Sequence, residues 1–322
     1  MQQARALWYV AQGRAELRAE ALPSPGAGEA RVRMDYSALS RGTERLVLEG
    51  RAPPEEYAAM RAPMQAGDFP FPVKYGYCAV GHVEAGPETL VGRCVFALHP
   101  HQDVFIAPVD RLTVCPPDVP LPRATLAANM ETALNAVWDS GAAPGDRIAV
   151  VGGGAVGLLI AYLVARLPGA EVTLVDPDSR RADTAAALDV VWRATADDLT
   201  GCDIVFHTSA RAEGLATSLA VCGREGCVVE ASWYGAGAVA APLGGAFHAR
   251  RLRLIATQVG AVAPGRRARW SHGRRLEKAL MLLADRRLDA LLTERVPFSA
   301  AAEAIPRLLA PNAPGVVTLF VY

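Results

Sequence analysis

Ile148-Ala149-Val150-Val151-Gly152-Gly153-Gly154-Ala155-Val156-Gly157-Leu158-Leu159 is the stretch that decides how this chain folds. An apolar, partly β-branched run enters a Gly-x-Gly-x-x-Gly spacing at Gly152, Gly154 and Gly157, and an apolar segment of helical character follows. Each glycine has its own task in a strand–turn–helix unit. Gly152 permits the tight turn, Gly154 lets backbone amides approach a pyrophosphate, and Gly157 lets the helix lie close on the sheet. Ala155 and Val156 open the helix, so their amides face the same anion. The strand before the turn and the helix after it give the spacing its weight.

Outward from this turn, strand and helix alternate. Leu126–Ser140 reads as a helix closed by Gly141 and a Pro144-Gly145-Asp146 turn. Ile148–Val151 is a strand, Val156–Leu167 its helix and Glu171–Asp176 a second strand. Ser179–Leu188 (helix), Asp203–Thr208 (strand), Ala212–Ala220 (helix), Cys227–Ala231 (strand) and Leu252–Gln258 (strand) continue the rhythm. Such alternation implies a doubly wound parallel sheet with helices on both faces. Upstream the period is two: in Glu29–Tyr36, Ala30, Val32 and Met34 alternate with Arg31, Arg33 and Asp35. Strands are expected at Val73–Glu84, Gly92–Leu98 and Asp103–Val109, and Pro116, Pro117, Pro120 and Pro122 punctuate the end of that region. Downstream come helices Arg275–Asp285 and Ala300–Leu309 and a strand Val316–Val321. The fold class is therefore α/β: a β-rich domain over 1–125, a nucleotide-binding domain over 126–262, and 263–322 returning to the first.

The bulk properties fit an ordinary globular protein. Half of the 322 residues are apolar (51%), 20% are charged, and the formal net charge is zero. Arg250, Arg251 and Arg253, then Arg266, Arg267 and Arg269, are interleaved with apolar residues, which suits solvated edges better than a nucleic-acid groove. The Ile148–Val164 run holds four glycines and suits a buried strand and helix rather than a membrane span. The N-terminus opens no apolar stretch of signal-peptide length. Cys78, Cys94, Cys115, Cys202, Cys222 and Cys227 include no Cys-x-x-Cys pair. Scattered core thiols of a cytoplasmic protein are expected, Cys222 and Cys227 among them. The implied partner is a small molecule, with no nucleic acid and no membrane.

Asp176 closes the second strand, where a carboxylate accepts hydrogen bonds from both hydroxyls of an adenosine ribose and repels a 2′-phosphate. NAD(H) is the expected cofactor. NADP(H) stays as the alternative, because Arg180 and Arg181 follow and could reach a phosphate. As a helix N-cap Asp176 would be replaceable, since Asp178 and Ser179 are also available. His207 and Ser232-Trp233-Tyr234-Gly235 follow strands at their carboxyl ends, the edge on which ligands bind, so His207 and Ser232 are expected beside the cofactor.

With these pieces placed, the chain resembles the medium-chain dehydrogenase/reductase superfamily. The resemblance rests on Ser40-Arg41-Gly42-Thr43-Glu44, Tyr75-Gly76-Tyr77-Cys78-Ala79-Val80-Gly81, Glu131-Thr132-Ala133 and the glycine turn, in that order. It implies a GroES-like catalytic domain holding both termini, a central Rossmann domain, and dimerisation by the last Rossmann strand, Leu252–Gln258. The segment Ser40–Leu46 with Gly50-Arg51 is similar to the bacteriochlorophyllide hydroxyethyl dehydrogenase-like branch, which does not by itself imply a tetrapyrrole substrate. The family's catalytic zinc ligands align with Arg41, Tyr77 with Cys78, and Ala128. Arginine and alanine do not ligate zinc and a lone thiol cannot hold it. The four-Cys lobe of the family is replaced by Ala97-Leu98-His99-Pro100-His101-Gln102. No zinc is expected.

Without a metal, a protic or cationic side chain must stabilise the developing oxyanion. By position, Thr132 should lie beside the nicotinamide and Thr43 should face the substrate. Arg41 could polarise a carbonyl, or could pair with Glu44 or Glu131. Tyr77 could donate a phenolic proton or simply line the cleft. His99 and His101 could shuttle protons, with at least one of them structural. Glu131 could orient Arg41 or a histidine. His82 is expected to face solvent, and His248 and His272 to lie on the surface. The expected reaction is alcohol–carbonyl interconversion. Reduction of an activated C=C bond is the alternative enzyme reading, and a non-catalytic dinucleotide sensor the alternative class.

Overall fold

The computed structural model describes residues 2–322. They divide into two compact units, one made of the residues up to Ala128 with Leu280–Tyr322, the other of Asn129–Ala279.

The first unit opens with a hairpin, β1 (Gln2–Ala11) and β2 (Arg14–Leu22), turned at Gly13 with φ +72°. The chain continues through β3 (Glu29–Leu39), α1 (Arg41–Leu48), β4 (Ala66–Gly67), β5 (Val73–Lys74), β6 (Ala79–Ala85), β7 (Cys94–Ala97), β8 (Val104–Pro108), β9 (Leu112–Val114) and α2 (Leu121–Ala124). The alternation expected in β3 is present through Met34, and the strand continues to Leu39 with Ser37, Ala38 and Leu39 all buried. Ala30, Val32 and Met34 turn inward and pack with Ala79, Val83, Val95, Ala97, Phe105 and Ala107. The glycine-punctuated strand expected within 73–84 is present as β6, with the short β5 before it. Gly76, at φ +123°, breaks the ladder, and a Cβ there would stand 2.9 Å from the His101 ring. The break lifts Tyr75–Cys78 out of regular pairing and leaves Tyr77 free to reach α1.

The second unit is a six-stranded parallel sheet, ordered β12-β11-β10-β13-β14-β15. Its strands are β10 (Arg147–Val151), β11 (Glu171–Val175), β12 (Val191–Arg193), β13 (Cys202–His207), β14 (Cys222–Glu230) and β15 (Arg253–Ala256). Helices α3 (Ala127–Ser140), α4 (Ala155–Val164), α5 (Arg181–Ala187) and α6 (Ala212–Val221) accompany them; α3 spans the boundary between the units. The order reverses at β10, so two neighbouring strands leave it in opposite directions and open a crevice at their carboxyl ends. Ile148 and Val150 are wholly buried, which explains why the central strand reads as a continuous apolar run.

Helix α7 (His272–Leu282) carries the chain back, and β16 (Leu292–Pro297), α8 (Ala301–Leu308) and β17 (Val317–Val321) follow. Strand β17 pairs antiparallel with β3, Phe320 opposite Ser37, so the tail completes the first unit's seven-membered sheet. The second unit runs to Ala279, past the 262 boundary expected from sequence. Arg275 accounts for the difference. Its buried guanidinium donates to Glu131, Asn135 and the carbonyls of Val259 and Ala261, which ties the start of α7 to α3. Among the described residues no helix is long and apolar enough to cross a membrane.

Candidate active site

In the second unit the candidate groups gather at the carboxyl edge of the sheet. Gly152 sits at φ +115°, and a Cβ on it would meet the Ser209 amide at 2.7 Å. A Cβ on Gly157 would stand 1.9 Å from the Gly152 carbonyl oxygen. Both positions demand glycine for packing. Gly154 differs: nothing lies within 4 Å of its would-be Cβ, and it is the N-cap of α4 without a side-chain cap. Open space before uncapped amides at Gly154, Ala155 and Val156 is what an approaching pyrophosphate needs.

Asp176 seals the turn from the side. Its Oδ2 accepts from the Gly153 amide at 2.6 Å and its Oδ1 from the Asp178 amide at 2.8 Å. It does not cap α5, whose N-cap is Arg180. Arg180 and Arg181 both pair with Asp178, at 2.7 and 3.3 Å, so the basic pair carries its own counter-charge. The donor set fits a dinucleotide: an anion cradle, a carboxylate and adjacent glycines.

His207 ends β13 in full burial, with both ring nitrogens engaged: Nδ1 with Glu230 Oε2 and Nε2 with Ser209 Oγ, each at 2.7 Å. Tyr234 also donates to Glu230 Oε2 and the Ser232 amide to Oε1. Burial opposes charge on Glu230, but His207 and the Ser232 amide together hold its carboxyl below the usual range. Ser232 Oγ accepts from the Ala210 amide at 3.1 Å. These bonds join the exits of β13 and β14 into one framed edge. Glu131 is buried and paired with Arg275 at 3.0 Å rather than with Arg41 or a histidine. Burial raises its carboxyl, with Arg275 opposing. Thr132 lies beside it on α3, half-buried.

In the first unit the motif around Ser40 forms a hydroxyl cluster. Tyr77 donates to Ser40 Oγ at 2.6 Å and also hydrogen-bonds with Thr43. Burial pushes the Tyr77 phenol well above its ordinary value, so it is protonated at neutral pH. Beneath the cluster sits Glu44, wholly buried. Its Oε1 accepts from the Ser40 amide at 2.7 Å, and its Oε2 from Tyr9 Oη at 2.7 Å and His101 Nε2 at 3.0 Å. His101 Nδ1 meets Ser37 Oγ at 2.7 Å, and Ser37 Oγ meets Tyr322 Oη at 2.8 Å. His101 is thus a fully enclosed strut. His99 stacks on Phe105 at 3.8 Å and donates from Nδ1 to the Pro100 carbonyl. Burial drops its pKa to about 3, which keeps it neutral.

Arg41 pairs with neither Glu44 nor Glu131. Its guanidinium donates to the carbonyls of Ala313, Pro314 and Gly315, holding the loop before β17. Ser40, Ser37, Tyr9 and Tyr322 were absent from the sequence candidates. Only Ser40 had a signal there, its place at the head of the Ser-Arg-Gly-Thr-Glu motif. Among the described residues no three His, Cys, Asp or Glu side chains converge as a metal site. Cys222 and Cys227 are buried free thiols, and His248 and His272 are exposed.

No family model matches the chain. Solved structures do. L-idonate 5-dehydrogenase from Escherichia coli superposes with a TM-score of 0.81 at 14% identity, over 100% of this chain and 99% of that one. A zinc-binding-type dehydrogenase from Sinorhizobium meliloti, solved with NADP, gives 0.80 at 17% identity over the whole of both chains. The 2R,3R-butanediol dehydrogenase of Bacillus subtilis gives 0.78 at 15% identity over 99% of each. The chain has the medium-chain dehydrogenase/reductase fold. The β-rich unit is the GroES-like domain of that fold and the parallel-sheet unit its Rossmann domain.

Proposed function

We propose that this chain is a medium-chain oxidoreductase that prefers NAD(H) and interconverts an alcohol and a carbonyl on a small molecule without zinc. The observation that carries the cofactor assignment is the glycine turn, open at Gly154 and sealed by Asp176, with both nearby arginines already paired to Asp178. The nicotinamide would supply and accept the hydride. The chain's own residues then have to hold the dinucleotide and manage the proton on the substrate oxygen.

The hydroxyl cluster suits the second task. Tyr77 donates to Ser40 Oγ, so the proton on Ser40 is the one left to point at a substrate oxygen. As that oxygen takes the Ser40 proton, Tyr77 can replace it through the existing 2.6 Å bond. Thr43 offers a third hydroxyl beside them. Arg41 is occupied with backbone carbonyls, and His101 is enclosed, so we assign them support rather than chemistry. Arg41 and Ala128 at the family's ligand positions have no metal-binding chemistry, and no step is derived through zinc. A reducing compartment such as the cytoplasm, compatible with six free thiols, and a homodimer built on the exposed edge strand β15 belong to the same reading.

Titration with NADH and NADPH, metal analysis, and hydride-transfer assays over alcohols, aldehydes and enones test it. The expected result is tighter NADH binding, less than one tenth zinc per chain, and turnover on alcohol or aldehyde. Tyr77→Phe with Ser40→Ala should then lower kcat by about 100-fold with NADH affinity unchanged. Turnover confined to enones, stoichiometric zinc, or cofactor binding with no turnover at all would overturn the assignment.

A further inference from the structure

A second constellation lies in the first unit's larger sheet and shares no residue with the hydroxyl cluster or the glycine turn. Strand β6 places His82 opposite Arg33 of β3 on one side and opposite Cys94 of β7 on the other. On this sheet face His82 Nδ1 is 2.6 Å from Asp35 Oδ2, and His82 Nε2 is 3.0 Å from Cys94 Sγ. Side chains of Asp35 and His82 are 35% and 45% exposed. Cys94 is half-buried, whereas the other five cysteines are buried. A carboxylate, an imidazole and a thiol in this order form the arrangement of a base-assisted nucleophile. Core packing does not explain it, because the side chains of His82 and Asp35 are partly exposed.

The neighbouring strand supplies a second thiol. The Cys115 amide donates to the Cys94 carbonyl at 3.0 Å, one step beyond the Val95–Val114 pair, so the two cysteines stand directly opposed. Opposed residues of a hydrogen-bonded antiparallel pair have Cα atoms about 5.5 Å apart, a separation that a disulfide spans.

We propose that Cys94 is an oxidation site for small hydroperoxides, with His82 as its general base, Asp35 as the orienting group and Cys115 as the resolving thiol. The Sγ proton passes to His82 Nε2, and Asp35 stabilises the imidazolium. The thiolate attacks the terminal peroxide oxygen. The S–O bond forms, the O–O bond breaks, and the leaving alkoxide takes the proton from His82. Sulfur is oxidised by two electrons to the sulfenic acid and the peroxide is reduced to an alcohol. Cys115 then attacks Cys94 sulfur; the S–S bond forms, the S–O bond breaks, and water leaves with the Cys115 proton.

The charges facing this group set its resting form. Arg33 is occupied with Glu84, Arg93 favours the thiolate, and Asp35 and Cys115 are the other titratable neighbours. Burial, then Asp35, raises the Cys94 thiol, so it rests protonated on Nε2 until the base draws the proton off.

The test uses the full-length protein with mass-spectrometric mapping of each cysteine. Cys94 should alkylate with iodoacetamide at least ten times faster than the other five at pH 7. His82→Gln and Asp35→Asn should each slow it about tenfold. Stoichiometric hydrogen peroxide should give a Cys94–Cys115 disulfide, and Cys115→Ser should leave a dimedone-trapped sulfenic acid at Cys94. Alkylation no faster than glutathione and indifferent to His82→Gln would overturn the base. Peroxide treatment yielding neither disulfide nor dimedone adduct would overturn the site.

Discussion

Replacing Asp176 by alanine should weaken NADH binding by about 30- to 700-fold. An ionised carboxylate offers about four lone-pair sites. Two are taken, by the amides of Gly153 at 2.6 Å and Asp178 at 2.8 Å. One remains on each oxygen, matching the two hydroxyls of a ribose. A hydrogen bond to a charged group contributes about 1.5–3 kcal/mol. Asp176 is half-buried, so water re-solvates part of what is lost, and the pair together should amount to about 2–4 kcal/mol. At about 1.4 kcal/mol per tenfold, that is the stated range. Fluorescence titration with NADH reads it directly, and NADPH run in parallel isolates the carboxylate. NADPH binding should change little or improve, since a repulsive charge is removed. In Asp178→Ala, Asp176 remains and the Asp178 carboxylate that pairs with Arg180 and Arg181 is gone, so NADPH alone should gain. Unchanged circular dichroism together with a NADH Kd within threefold of wild type for Asp176→Ala would refute the ribose assignment.

Three further outcomes follow from the same geometry. Gly157→Ala, whose Cβ would meet backbone at 1.9 Å, should lose at least about 2–3 kcal/mol of stability in denaturant titration; Gly154→Ala, with open space around it, should fold like wild type and still lose NADH binding. Glu44→Gln should lower the unfolding free energy by about 2–4 kcal/mol, because an amide cannot accept from Ser40, Tyr9 and His101 at once; a change below about 0.5 kcal/mol would contradict it. His99 is neutral when folded, with a value near 3, while the unfolded chain binds its proton below about 6.5, so stability falls as pH drops through that window. Between pH 6.5 and 4.5 guanidinium unfolding should show wild type losing about 2.3 kcal/mol more than His99→Phe.

The parallel sheet was legible because its strands are buried on both faces and write that burial as uninterrupted apolar runs, Ile148–Val151 above all. The hairpin of β1 and β2 was not. Ala4, Ala6, Leu7 and Tyr9 are all fully buried, which breaks a strict period of two, and Arg14–Leu22 is mostly alanine and charge. Helix α1 was hidden by Gly42 in its first turn. Within the site, the residues that matter were visible as motif letters but their partners were not. Arg41 sits three positions from Glu44 on a helix, a spacing that favours a salt bridge. Three carbonyls at Ala313–Gly315 take the guanidinium instead, and Tyr9 and His101 take the carboxylate. Those partners lie far off in sequence, where local spacing carries no information.

Glu44 also explains why the Ser40 hydroxyl is not spent on the helix. In a capping box the serine side chain covers an amide of the first turn while the acid, three residues on, covers the serine's own amide. Here the acid stands four residues on and still reaches the Ser40 amide, while Ser40 makes no side-chain cap. The helix forgoes an interaction of about 1 kcal/mol, and the hydroxyl turns to Tyr77 instead. A buried carboxylate in that role needs donors for its other oxygen, which Tyr9 and His101 provide. In the proposed reading the histidine serves the site by holding Glu44 in place, not by shuttling protons itself. With a regular capping box the same helix would start equally well, but its serine would be spent on the backbone and no hydroxyl would remain for a substrate oxygen.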